Sequence, residues 1–171
     1  MDVRIEQIGT TGEELVLIRC REITEEVREI EAFVKSRQGS LSCVSEARQY
    51  EIAVTDICYI ESVDGKTFLY TNDRVYETAY RLYELEELLR SKQFLRISKP
   101  MLVNLMKIQS LQPAFNGRFL ALLRSGEKVI ISRNYVKALK DALKGSLPSE
   151  YFSLNPNIFA IVGSTSYIPI T

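Results

Sequence analysis

Three groups of side chains have the types and spacing to do chemistry. Glu61 and Asp64 are paired carboxylates of the kind that serve acid and base catalysis. The Asp64-Gly65 pair, however, is what a tight turn demands of its backbone, so these two acids read as a solvated hairpin turn. Ser98-Lys99-Pro100 sets a hydroxyl beside an ammonium. Neighbours on a strand point to opposite faces, so this is no nucleophile with its base. The third group is a series of cations, Arg96, Lys99, Lys107, Arg118, Arg124, Lys128, Arg133 and Lys137, interleaved with apolar residues. Spread over strand ends and turns, such cations suit a phosphate backbone, each neutralised phosphate adding a salt-dependent increment of affinity.

Composition removes most other chemistry. The chain has no histidine, which excludes the usual general base, the usual metal ligand and every Ser-His-Asp or Cys-His arrangement. Neither GxGxxG nor GxxxxGK(S/T) occurs. Cys20, Cys43 and Cys58 are odd in number, lack metal-ligand spacing and lie among apolar residues, so they are expected as buried, reduced thiols. No enzymatic motif survives, and no cofactor, metal or small-molecule substrate is implied. The start, MDVRIEQIG, alternates and is charged, unlike a signal peptide, and no run approaches the roughly 20 apolar residues of a membrane helix. A cytoplasmic protein is expected.

The net charge of zero hides a division. Residues 1–60 carry 7 basic and 12 acidic side chains, residues 61–91 carry 4 and 7, and residues 92–145 carry 11 and 2. The last segment is therefore +9 against −8 for the first 91 residues. The acidic part is expected to limit indiscriminate binding to polyanions and to leave a face for self-association or a partner.

The elements that must position these groups are mostly strands. Val3, Ile5 and Ile8, a turn at Thr10 to Gly12, and Leu15 to Cys20 suggest a hairpin. A helix follows, with Ile23, Val27, Ile30 and Val34 on one face and Gly39 as its stop. This ββα unit, residues 1–39, is too small to bury its apolar faces alone. From Leu41 the strands LSCVSE, YEIAVTDICYIESVDG, KTFLYTND and RVYETA follow, with turns at Asp64-Gly65 and Asn72-Asp73. Thr78 to Lys92 reads as a helix with Leu82, Leu85 and Leu89 inward. FLRI, MLVNL, KIQSLQ, FLALLR and KVIIS are further strands, with turns at Asn116-Gly117 and Ser125-Gly126. Ser132 is placed to cap a last helix, Arg133 to Lys144. Residues 146–171 hold three prolines, five serines and a single charge, and read either as a loop with one added strand or as a poorly ordered tail.

The order DICYIES, FLRISKPMLVNLMKIQSL, LRSGEKVIISRNYVKALKDAL resembles the LytTR family of bacterial DNA-binding domains. Typical members carry F-x-R-x-H-(R/K)-S-(Y/F)-(I/L)-V-N, a short strand pair, a Gly turn and V-S-R-x-Y, and the likeness covers about residues 40–144. The resemblance implies an α+β, predominantly β fold: an elongated domain over residues 40–145 with few short helices, behind the ββα unit. It implies a transcription regulator whose loops enter successive major grooves of double-stranded DNA, usually at paired direct repeats; the ββα unit is then expected as an accessory or dimerisation element, consistent with a homodimer on two repeats. Carried over by position, the base contacts are Lys66, Lys99 and Arg133, with Ser98, Arg118, Asn134 and Lys137 on phosphates. Arg and Lys suit guanine edges in the major groove.

Ser98-Lys99-Pro100 departs from the family's His-(R/K)-Ser, which removes a histidine contact and points to a different sequence preference. Lys66 lies in an acidic stretch. Many such regulators carry an N-terminal phosphoacceptor receiver; some forty residues before the match are too few for one, so receiver phosphorylation is not the expected switch. Short relatives are sometimes encoded beside a small membrane protein that restrains them, which makes such an inhibitor a candidate partner. The competing reading is a protein-interaction module that pairs acidic and basic faces without binding DNA.

Overall fold

The computed structural model describes residues 4–6, 16–37 and 39–146. Helix α1 (Glu25–Arg37) leads into β1 (Ser40–Ser45) and β2 (Arg48–Ala53); then come β3 (Tyr59–Val63), β4 (Lys66–Tyr70), β5 (Val75–Thr78), α2 (Leu82–Leu88), β6 (Phe94–Ser98) and β7 (Met101–Asn104). The last elements are β8 (Ile108–Pro113), β9 (Phe119–Leu123), β10 (Lys128–Ile131) and α3 (Val136–Ser146). Seven strands form one antiparallel sheet in the order β2-β1-β5-β4-β3-β7-β6, and three form a second in the order β10-β9-β8. The architecture is the expected predominantly β α+β fold.

Both faces of the large sheet are covered, which explains why its central strands are continuously apolar. On β3, Tyr59 and Ile60 point to opposite sides, and so do Leu102 and Val103 on β7. Tyr59 and Val103 join the core under the small sheet and α3, with Ile131, Leu139 and Leu143. Ile60 and Leu102 join the core under α2, with Leu69, Leu85 and Leu89. The buried Asn104 ties the seam: its Nδ2 donates to the Ile57 carbonyl at 2.9 Å, and its Oδ1 accepts from Met106 N at 3.0 Å. Among the described residues, no helix is long and apolar enough to cross a membrane.

Several local expectations change. Val16–Cys20 carry no strand, and Cys20 is exposed, while Cys43 and Cys58 are buried as expected. Val27 of α1 is buried, and no described residue of α1 belongs to either core. The rest of that hairpin, and residues 147–171, lie outside the described residues. The long run from Tyr50 to Gly65 is broken by a 3₁₀ turn at Val54–Asp56 into β2 and β3. Thr78 ends β5 instead of opening a helix, and α2 starts after Arg81, whose backbone N–H donates to the Glu84 carboxylate at 2.7 Å. Ser132 makes no side-chain cap; its backbone works instead, and the helix begins with a 3₁₀ turn at Arg133–Tyr135. Asp64 and Gly65 form the expected tight turn, at φ of 51° and 77°, and Asn72 and Asp73 form a second two-residue connection without positive φ, flanked by Thr71 N donating to the Arg74 carbonyl at 3.0 Å.

Candidate nucleic-acid interface

The strand register gathers four connections at one end of the molecule. Val63 pairs with Lys66 across the β3–β4 turn. The β6–β7 turn, Lys99-Pro100, lies beside it, because Ser62 N donates to the Pro100 carbonyl at 2.8 Å. At the C-terminal end of β6, the Ile97 carbonyl accepts from Ser132 N at 2.8 Å, so the β10–α3 junction docks next to the Lys99 turn. Ile131 pairs with Phe119, which brings the β8–β9 turn to the same place. Residues separated by up to seventy positions in the chain thus share one face.

Each turn is built to hold its cations outward. The Arg96 guanidinium, paired with Glu86, donates from Nε to the Ser98 carbonyl at 3.1 Å and from Nη2 to the Lys99 carbonyl, which fixes the backbone under an exposed Lys99. Asn116 and Gly117 turn the chain at φ of 60° and 72°. A Cβ on Gly117 would lie 3.0 Å from Cδ of Arg133, so this glycine lets Arg133 lie against the neighbouring turn. Arg118 donates from Nε to the Phe115 carbonyl at 3.1 Å. Arg133, Asn134 and Lys137 are exposed on the junction and the first turn of α3.

The seven residues named from sequence therefore fall at one end, but not on equal terms. Lys99, Arg118, Arg133 and Lys137 pair with no carboxylate among the described residues. Lys66 is held by Glu77 across β4–β5 at 3.4 Å. Ser98 is half-buried at the end of β6. Sequence reasoning missed Arg81, which lies in an acidic stretch. Its Nη1 donates to the Gly65 carbonyl at 2.9 Å, and it lines a hollow of about 350 Å³ with Ser62, Tyr83, Arg96, Lys99 and Pro100. Its only sequence signal was a position just before the helical leucines.

Two groups with perturbed protonation, Cys58 and Tyr59, lie at the opposite ends of their strands from these turns. Burial pushes the Cys58 thiol up, and its Sγ donates to Asn72 Oδ1 at 3.3 Å. Burial, and then Glu127, pushes the Tyr59 hydroxyl up; Tyr59 stacks on Tyr70 at 4.2 Å. Among the described residues there is no group of three or more His, Cys, Asp or Glu able to hold a metal ion.

Comparison with known proteins gives the same region a family. The sensory transduction protein LytT of Bacillus cereus is 34% identical over 93 residues, which cover 54% of this chain and 38% of that protein. The transcriptional regulatory protein YpdB of Escherichia coli K12 is 27% identical over 113 residues, 66% of this chain and 46% of that one. The chain thus spans about half or less of the length of these relatives. A solved LytTr DNA-binding domain from Bacillus cereus shares the fold, with a TM-score of 0.59 at 24% identity, over 61% of this chain and 96% of that domain. Residues 47–144, more than half of the chain, match the LytTr DNA-binding domain, and the chain belongs to that family.

Proposed function

We propose that this chain is a sequence-specific DNA-binding transcription regulator that reads major grooves through its strand-connecting turns. The observation that carries the reading is the convergence of the β6–β7 turn, the β8–β9 turn and the β10–α3 junction, with Lys99, Arg118, Arg133 and Lys137 exposed and unopposed by carboxylates among the described residues. Lys99 and Arg133 are assigned to guanine edges, with Lys66 as the third base contact. Ser98, Arg118, Asn134 and Lys137 position the domain on phosphates. Two copies, acting as a homodimer, occupy paired direct repeats, one copy on each.

The test is a titration of the purified chain against duplexes that it has itself selected from a random pool, at several salt concentrations. Affinity is expected to fall steeply with salt, the log–log slope reporting about 0.9 per neutralised phosphate. Arg133→Ala is expected to weaken binding by about 1–3 kcal/mol and to relax preference at one base pair. Selection of no sequence, together with a salt-sensitive oligomer in the absence of DNA, would favour the protein-interaction module instead.

A further inference from the structure

The DNA-facing end carries one side chain that electrostatics does not explain. Phe115 is 79% exposed, the most exposed large apolar residue of residues 39–146, ahead of Tyr83 at 68%. Single exposed apolar residues are ordinary on protein surfaces. What sets Phe115 apart is that its backbone is fixed while its ring is left in water. Its carbonyl accepts from both N and Nε of Arg118, Ala114 N donates to the Arg118 carbonyl at 2.8 Å, and the next two residues are locked at positive φ. Gly117, two residues on, lies against Cγ and Cδ of Arg133. An exposed aromatic ring is thereby carried on a turn of fixed backbone that packs, through Gly117, on the arginine assigned to a guanine edge.

We infer that Phe115 is an apolar base contact that reads a thymine 5-methyl group in the major groove, beside the base pair read by Arg133. The inference rests on the DNA-binding reading above. The major groove distinguishes thymine by its methyl, and a Phe ring is among the apolar groups that meet it there. Water leaves both the ring and the methyl on contact, which makes the contact favourable without any hydrogen bond. Because the turn packs on Arg133 itself, the thymine should lie within about one or two base pairs of that guanine, at roughly 3.4 Å per step. An Asn-Gly turn between short strands explains the positions of Asn116 and Gly117, but it does not call for Phe at 115.

The test uses the full chain and a duplex that it has selected from a random pool. Phe115→Ala is expected to weaken binding about three- to tenfold on that duplex and to leave binding to scrambled DNA within twofold. Replacing one thymine by deoxyuridine, which deletes only the methyl, should cost the wild type a similar factor and cost Phe115→Ala nothing further. Phe115→Leu should retain most of the affinity. Additive losses from the variant and the deoxyuridine, an equal loss on scrambled DNA, or no loss at all would overturn the inference. A loss on every duplex would mean sugar contact or insertion between bases instead. Thermal melts of the variants should match the wild type, because the ring is outside both cores. If the wild type selects no sequence, the DNA-binding reading fails; if it selects one that ignores Phe115, only this inference does.

Discussion

The two ends of the large sheet hold similar numbers of cations and use them differently. At the end opposite the Lys99 turn lie the β1–β2 turn, the Thr71–Arg74 loop and the β9–β10 turn, with Arg48, Arg74, Lys107, Arg124 and Lys128. There the bases alternate with Glu46, Asp56, Asp73 and Glu127, and Arg74 is spent internally. Arg74 sits over the Tyr50 ring at 5.8 Å and donates to its hydroxyl at 3.3 Å. Asp56, Asp73 and Lys107 share the lining of one hollow of about 350 Å³. At the Lys99 end, the proposed reading end, backbone carbonyls and a glycine hold the turns, and Lys99, Arg118, Arg133 and Lys137 are exposed. A count of bases does not distinguish the two ends; what does is that Asp64, Glu77 and Glu86 stay on the β3–β4, β5 and α2 side, while Lys99, Arg118, Arg133 and Lys137 meet no carboxylate among the described residues.

Charge reversal breaks this comparison most directly. The double variant Lys99→Glu/Arg133→Glu is expected to lose at least about a hundredfold in affinity for a selected duplex, since two contacts of about 1–3 kcal/mol each become repulsive. Arg48→Glu/Lys128→Glu changes the net charge equally at the opposite end, where both side chains are exposed. It should stay within about threefold at 0.15 M salt, because charges more than a Debye length of about 8 Å from the DNA are screened. Fluorescence anisotropy with both proteins reads the difference. Equal losses would mean that overall charge, not the turns, governs binding.

Gly117→Ala asks whether the reading end depends on its scaffold. A side chain at φ 72° costs about 1–2 kcal/mol, and the new Cβ would press on Arg133. Stability should fall by that amount, and affinity for a selected duplex should fall about fivefold in the protein that remains folded. Gly126→Ala, at φ 91° with no neighbour within 4 Å of its Cβ, is the matched control at the opposite end. It should lose similar stability and no affinity. Denaturation curves and anisotropy together separate the two losses.

Much of this was legible in the sequence, for reasons that differ between elements. The strands from Leu41 onward announced themselves because a sheet buried on both faces leaves continuous apolar runs, and because Asp64-Gly65 and Asn116-Gly117 demand positive φ. Asn104 stood out as part of a motif, and its role proves structural: it satisfies the Ile57 carbonyl and Met106 N–H inside the seam. The break at Val54–Asp56 was invisible, because Val54 and Ile57 continue an apolar run whichever way the backbone turns. The convergence of turns rests on pairings such as Ile97 with Ser132, which only the assembled sheet reveals. Arg81 was hidden by its acidic neighbours in the chain, although its partner in space is the Gly65 carbonyl.

Lys66 provides the smallest and sharpest test, because it belongs to the reading end by position and resembles the opposite end in its bonding. Its ammonium already faces Glu77 at 3.4 Å, with the two side chains 62% and 44% exposed. An ion pair in such open water is worth about 0–1 kcal/mol, so it breaks easily. Yet DNA approaching it meets a nearly neutral pair, and Lys66 gains on a base edge only what remains after Glu77 is left facing phosphate. Lys66→Ala should therefore weaken binding by less than about threefold, well below Arg133→Ala, while Glu77→Gln should strengthen it by a similar small factor. If Lys66→Ala costs as much as Arg133→Ala, and Glu77→Gln changes nothing, then the carboxylate is not what separates Lys66 from Lys99 and Arg133, and the lack of a carboxylate partner is not the property that marks those two cations.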